Sequence, residues 1–153
     1  MLVVGLGNPD RGDDAAGILV VRRLRERGID AIEHSGATLN LLDVWNASDR
    51  VILIDAVVSG GAAGSVRVWD PWKVSLKGSI FRASTHEFGL ADTVELARTL
   101  DWLPQWMRIY GIEATRFDAG MQPSEEIVPA IERVAEEIQT IIIRGHGVNT
   151  RGG

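Results

Sequence analysis

The sequence predicts an α/β domain in three layers, with helices on both faces of a central, mostly parallel sheet of about five strands. Three observations carry this prediction. Short apolar runs alternate with segments of helical periodicity along the whole chain, the pattern of repeated βα units. Val51-Ile52-Leu53-Ile54 is apolar on both faces, as a central parallel strand must be. With 153 residues, 45% of them hydrophobic and 24% charged, the chain has the length and balance of one globular domain with a sizeable core.

In order along the chain, Leu2-Val3-Val4 reads as a buried first strand that breaks into the tight loop Gly5-Leu6-Gly7-Asn8-Pro9. Asp13 or Asp14 can cap the helix that follows, because a carboxylate there accepts amide hydrogens that have no partner within the helix. This helix turns Ala15, Ile18, Leu19 and the Val21–Leu24 stretch toward the core. Gly28 is placed to end it, and Arg22, Arg23, Arg25 and Arg27 read as its solvated face. Asp30 to His34 reads as a second strand, and Thr38 to Trp45 as a short helix with Leu39, Leu42 and Val44 available for burial. The third strand, from Val51, reaches Asp55 and fades at Ser59-Gly60-Gly61. Ser65 to Trp69 alternates polar and apolar, which suits a half-exposed strand, antiparallel at an edge.

A loop spans Asp70 to Arg82. Ser84-Thr85-His86-Glu87 has capping-box form and places His86 in the first turn of a helix that presents Leu90, Val94, Leu96 and Ala97. Trp106 to Ile112 is a fifth strand. A last helix runs from about Ser124 to Ile142, with Ile127, Ile131, Val134, Ile138 and Ile141 on one stripe and Pro129 near its start. The domain therefore covers 1–144, and the Gly-rich polar stretch 145–153 reads as a disordered tail. Trp69, Trp72, Trp102 and Trp106 read first as core and rim packing.

Composition narrows the function classes. A formal net charge of −5 disfavours a nucleic-acid partner. No apolar run is long enough to span a bilayer, and Met1-Leu2-Val3-Val4 has neither the basic start nor the small-residue cleavage site of a signal peptide. The expectation is a cytoplasmic protein with no membrane partner. Cysteine is absent, which excludes disulfides, thiolate metal sites and a thiol nucleophile. Gly5-x-Gly7 lacks the third glycine of a dinucleotide fingerprint, and Asp13 and Asp14 would repel a pyrophosphate at the helix start, so no organic cofactor is expected.

Three residues remain as candidates. Asp14 belongs to an acidic pair whose simplest role is capping. Asp55 follows four apolar residues on a central strand, where an ionised carboxylate needs either solvent or a partner. His86, near a helix N-terminus, would be held neutral by the helix dipole, the form that binds metals, although a hydrogen bond to its own loop explains it equally well. His34 and His146 have weaker cases. In a parallel sheet the strand carboxyl ends and the helix N-termini share one rim. Two carboxylates and one imidazole there form an open nitrogen/oxygen metal site that could polarise a carbonyl and position a water.

The stretch Gly5-Leu6-Gly7-Asn8-Pro9-Asp10-Arg11-Gly12-Asp13-Asp14-Ala15-Ala16-Gly17 resembles the N-terminal signature of the hydrogenase maturation proteases. Leu53-Ile54-Asp55-Ala56-Val57 resembles that family's second motif and Ser84-Thr85-His86-Glu87-Phe88-Gly89-Leu90 its third, all in the expected order. The resemblance spans nearly the whole chain. It implies an α/β sandwich and an endopeptidase, usually classed as aspartic-type. The implied substrate is the nickel-loaded precursor of a nickel–iron hydrogenase large subunit, from which a short C-terminal peptide is removed. It also implies that Asp14, Asp55 and His86 bind a nickel ion presented by that substrate. One departure stands out: Ser35-Gly36-Ala37-Thr38 has Ser35 where many members carry Asp, so that acid's role would pass elsewhere, to Asp13 or to metal-bound water. Two rivals remain: a non-catalytic nickel-binding maturation chaperone, which would need the same three residues, and a peptidyl-tRNA hydrolase-like enzyme. The latter shares Gly-Leu-Gly-Asn-Pro but should continue into a Thr-Arg-His-Asn that this chain lacks.

Overall fold

The computed structural model describes residues 1–35, 38–46, 48–77, 81 and 89–149, with side chains through 145. Its strands are β1 (Leu2–Leu6), β2 (Ile32–His34), β3 (Arg50–Val57), β4 (Val66–Trp69) and β5 (Trp106–Glu113). They join into one sheet in the order β2-β1-β3-β5-β4, parallel except for β4, which pairs antiparallel with β5 at the edge. The helices are α1 (Ala16–Glu26), α2 (Leu41–Trp45), α3 (Leu90–Thr99) and α4 (Ile127–Asn149).

Alternation along the strands assigns the layers. Val3, Ile52, Ile54, Ala56 and Ile112 point to one face and pack under α1 and α4 through Val20, Leu24, Val134 and Ile138. Their neighbours Val4, Leu6, Val51, Leu53 and Val57 point to the other face, where Leu41, Trp45, Leu90 and Val94 of α2 and α3 cover them together with Leu76 and Phe81. The three-layer α/β/α expectation and the antiparallel edge strand both hold.

Several expected boundaries shift, each for a physical reason. In α2 the buried pair is Leu41 and Trp45, one helical turn apart, while Leu39 is exposed in the 3₁₀ turn Thr38–Asn40 that precedes the helix. Neither Asp13 nor Asp14 caps α1; both lie in a 3₁₀ turn, Gly12–Ala15, that leads into it. The helix expected from Ser84 begins instead at Leu90, with Gly89 as its N-cap, and the Gly89 N–H donates to Asp92 at 3.1 Å. The last helix starts at Ile127 rather than Ser124, with Pro129 in its first turn, where a missing N–H costs no helical hydrogen bond. It runs through Gly145 to Asn149, past the point where the sequence placed the start of a tail; 150–153 lie outside the described residues. The arginines of α1 do lie on its solvent side, with acids matched to them: Glu33 pairs with Arg22 and Arg25, and Glu132 with Arg23 and Arg27. No described helix is long and apolar enough to cross a membrane.

One close approach sets the position of α1. A Cβ on Gly17 would overlap the carbonyl oxygens of Ile54 and Leu6, and one on Gly5 would overlap the Gly17 carbonyl. Helix and sheet thus meet backbone to backbone. Gly17→Ala is expected to lower stability by about 1–3 kcal/mol, the range for overpacking a filled core. Urea unfolding should show a lower midpoint at unchanged slope.

The chain's single tyrosine, Tyr110 of β5, is buried on the α4 face, and its hydroxyl hydrogen-bonds to Glu137. Burial, reinforced by the Glu137 charge, pushes its pKa up to about 12 from 10.0. A folded pKa above the unfolded one means this contribution to stability is complete below about pH 10 and is lost as pH rises through about 12. Ultraviolet titration of the native protein should therefore show tyrosinate forming near pH 12, and near pH 10 in denaturant. A native transition near 10 would contradict the buried Tyr110–Glu137 pair.

Candidate functional site

The carboxyl edge of the sheet gathers the loop after β1 and the end of β3. Gly7 leaves β1 with φ +135, its N–H donating to the His34 carbonyl at 3.2 Å. A Cβ there would overlap the Asp14 carbonyl oxygen, which instead accepts the Asn8 N–H at 3.1 Å. The Asp14 N–H donates to the Arg11 carbonyl at 3.0 Å. The backbone of Asp14 is thus held from both sides, folded back over the end of β1, and its side chain is half-exposed.

Asp55 lies two residues before the end of β3 and has no solvent exposure. It is level with Gly111 of β5, and one residue on from the Gly5–Ile54 pairing, so it is also level with Leu6 of β1. Alternation turns its side chain to the α2/α3 face, and Oδ1 accepts the Ala56 N–H at 2.8 Å. Leu6 is in turn the partner of His34. His34, set aside on sequence, therefore stands at the same level and on the same face as Asp55, with Leu6 between them. Sequence reading missed this because strand order, unlike strand identity, has no local signal.

Asp13 has a different role from its neighbour. It is fully buried, and its carboxylate accepts the N–H groups of Thr115 (2.8 Å), Arg116 (3.0 Å) and Ser124 (2.6 Å) as well as the Ser124 hydroxyl. Burial by itself would raise its pKa, but these donors outweigh that and hold the carboxyl below the usual 3.8. A carboxylate so occupied is scaffold, and Asp13 is not available to replace the acid that Ser35 lacks. Glu113, at the end of β5, was also missed. Buried, it accepts from the Ser59 N–H and hydroxyl and from the Gly61 N–H at 2.5 Å, which closes the turn after β3.

His86, Ser84 and Glu87 lie outside the described residues. The described part of the following helix, α3, begins at Leu90. Ser35 is exposed, directly after β2. Among the described residues, no three acids or histidines stand close enough together to hold a metal ion. Of the tryptophans, Trp69 is buried and Trp106 is half-buried beneath the guanidinium groups of Arg50 and Arg108, whereas Trp72 and Trp102 are exposed.

Residues 19–141 match the family model described as hydrogenase maturation protease, a segment that holds Asp55 and begins just after Asp14. The chain is 30% identical over 146 residues to the hydrogenase 2 maturation protease of Escherichia coli, covering 88% of this chain and 87% of that protein. Among solved structures, the [NiFe] hydrogenase maturation protease HybD from Thermococcus kodakarensis superposes with a TM-score of 0.73 at 28% identity, covering 92% of this chain and 97% of that one. The hydrogenase-maturating endopeptidase HybD from E. coli gives 0.75 at 22% identity, covering 94% and 92%, which bears on the fold alone. With a family model that accounts for most of its length and a fold shared with that family's solved members, the chain belongs to the hydrogenase maturation proteases and is a peptidase.

Proposed function

We propose that this peptidase removes a short C-terminal peptide from the nickel-loaded precursor of a nickel–iron hydrogenase large subunit, in the cytoplasm. The observation that carries the reading is the contact of the Gly12–Ala15 turn, which holds Asp14, with β3, which holds the buried Asp55, in a chain of the hydrogenase maturation protease family. The names of its relatives, which refer to maturation of hydrogenases, support the substrate class.

On this reading nickel is part of the substrate. Asp14, Asp55 and His86 supply two carboxylates and an imidazole, an open donor set suited to a divalent ion that still carries its own ligands. Such an ion would supply Lewis-acid polarisation of a nearby carbonyl. The chain's own residues give selectivity. Attraction between Asp55 and an arriving cation is little screened, because that carboxylate is out of solvent. The backbone of Asp14 is held by Asn8 and Arg11, which limits how far the loop that carries it can move when the ion arrives. An unloaded precursor offers no cation to these acids and docks poorly, so trimming follows metal insertion.

The test is mass spectrometry of the precursor, nickel-loaded and nickel-free, after incubation with the protein. Loss of a C-terminal peptide from the loaded form alone is the expected result. Binding of nickel or of precursor without any cleavage would overturn the peptidase assignment in favour of a chaperone. Asp14→Asn and Asp55→Asn should each lower the trimming rate at least 10- to 100-fold, the range seen when even outer partners of a metal site are removed. Full-rate trimming in either variant would remove that residue from the site.

A further inference from the structure

The loop after β1 and the segment between β5 and α4 are joined along a continuous seam. The Gly120 N–H donates to the Asp10 carbonyl at 2.7 Å, the Gly12 N–H to the Met121 carbonyl at 3.0 Å, and the Asp13 N–H to the Arg116 carbonyl at 2.6 Å. The Asp13 carboxylate closes the seam from below: Oδ2 accepts the N–H groups of Thr115 and Arg116, and Oδ1 accepts the Ser124 N–H. The Ser124 hydroxyl lies 2.9 Å from one oxygen and 2.8 Å from the other, and the Thr115 hydroxyl 3.3 Å from Oδ2. The seam leaves no room at Gly12, where φ is +53 and a Cβ would stand 2.6 Å from the Arg116 oxygen.

Asp14 is the next residue in the same 3₁₀ turn. With three residues per turn, adjacent side chains point about 120° apart. Locking Asp13 into the seam therefore fixes the direction in which Asp14 leaves the backbone. We propose that Asp13 is a positioning residue for the trimming reaction: it joins the 10–13 and 115–124 segments into one rigid wall and thereby fixes Asp14 at the site. This rests on the assignment of Asp14 to that reaction. An amide in place of the Asp13 carboxylate would point an NH2 group at N–H donors, so the seam needs the carboxylate itself and not only its shape.

The experiment compares Asp13→Asn, Ser124→Ala and Ser124→Thr with the wild-type chain, at a temperature where near-ultraviolet circular dichroism shows each one folded. With nickel-loaded precursor as substrate, Asp13→Asn is expected to lower kcat/KM about 10- to 100-fold with part of the loss in kcat, because a misplaced Asp14 both holds the precursor's ion less well and presents it less well. Ser124→Ala, which removes one donor and is the milder change should Asp13→Asn not fold, is expected to lower kcat severalfold, and Ser124→Thr, which keeps the hydroxyl, to restore it. Hydrogen exchange over residues 8–14 is expected to quicken in both impaired variants. Wild-type kcat in any folded seam-broken variant overturns the proposal, as does a rise in KM alone, which would make the wall a docking surface. If the wild-type chain leaves loaded precursor intact, the trimming reaction itself fails. Exchange over 8–14 then decides the seam's hold on Asp14, and an unchanged profile in Asp13→Asn overturns it.

Discussion

Helix α1 can reach the sheet only because neither surface carries a side chain where they cross. Gly5 of β1 and Gly17 of α1 face one another, and a methyl group on either would enter a backbone carbonyl. That contact draws the start of α1 down onto β1 and β3. The 3₁₀ turn in front of it, with Asp13 and Asp14, is then forced back over the strand ends, where Gly7 and Asn8 receive it. A larger residue at the crossing would lift the helix by about a methyl diameter. The Asp14 loop would rise with it, away from Asp55, while most of the two cores could still form.

Buried acids meet the cost of desolvation in different ways at this end of the molecule. Asp13 and Glu113 are each ringed by loop N–H and hydroxyl donors, and each ties two segments distant in sequence: Asp13 the β1 loop to the β5–α4 connection, and Glu113 the end of β5 to the turn at Ser59–Gly61. These two carboxylates hold the frame of the rim. Asp14 and Asp55 are the acids whose positions the frame sets. Glu113 stands beside Val57, two residues along from the level shared by Asp55 and Gly111, so the loop behind Asp55 is fixed by an acid on the neighbouring strand.

The parts of this design with a local signature were legible in the sequence. Val51 to Ile54 announced a central strand, Ser65 to Trp69 an edge, and Gly5 and Gly7 a backbone under steric constraint. The parts that depend on long-range pairing were not. Nothing in Asp13-Asp14 says which carboxylate turns inward, because the partners of Asp13 lie about a hundred residues on, at Thr115, Arg116 and Ser124. His34 gained its place only when β2 paired with β1. Ser84 and Glu87 match a capping box but lie outside the described residues, and α3 starts at Leu90, where Gly89 and Asp92 form the contact that opens it. The buried stripe of Leu90, Val94 and Ala97 fixes where that helix must lie.

The arrangement of acids also bears on chemistry. A mechanism in which two carboxylates share a proton needs them about 3 Å apart and otherwise free of strong donors. Asp13 fails the second condition, since a proton on it would have to displace N–H groups already directed at both oxygens. Ser35 brings no carboxylate to the rim. The acid that many members of the family carry at that place is therefore not replaced by the nearest alternative in this chain. On the proposed reading, Asp14 and Asp55 act through the cation they bind. The precursor's metal would be both the feature recognised and the source of the positive charge that hydrolysis draws on, which ties cleavage to metal insertion without a separate sensor.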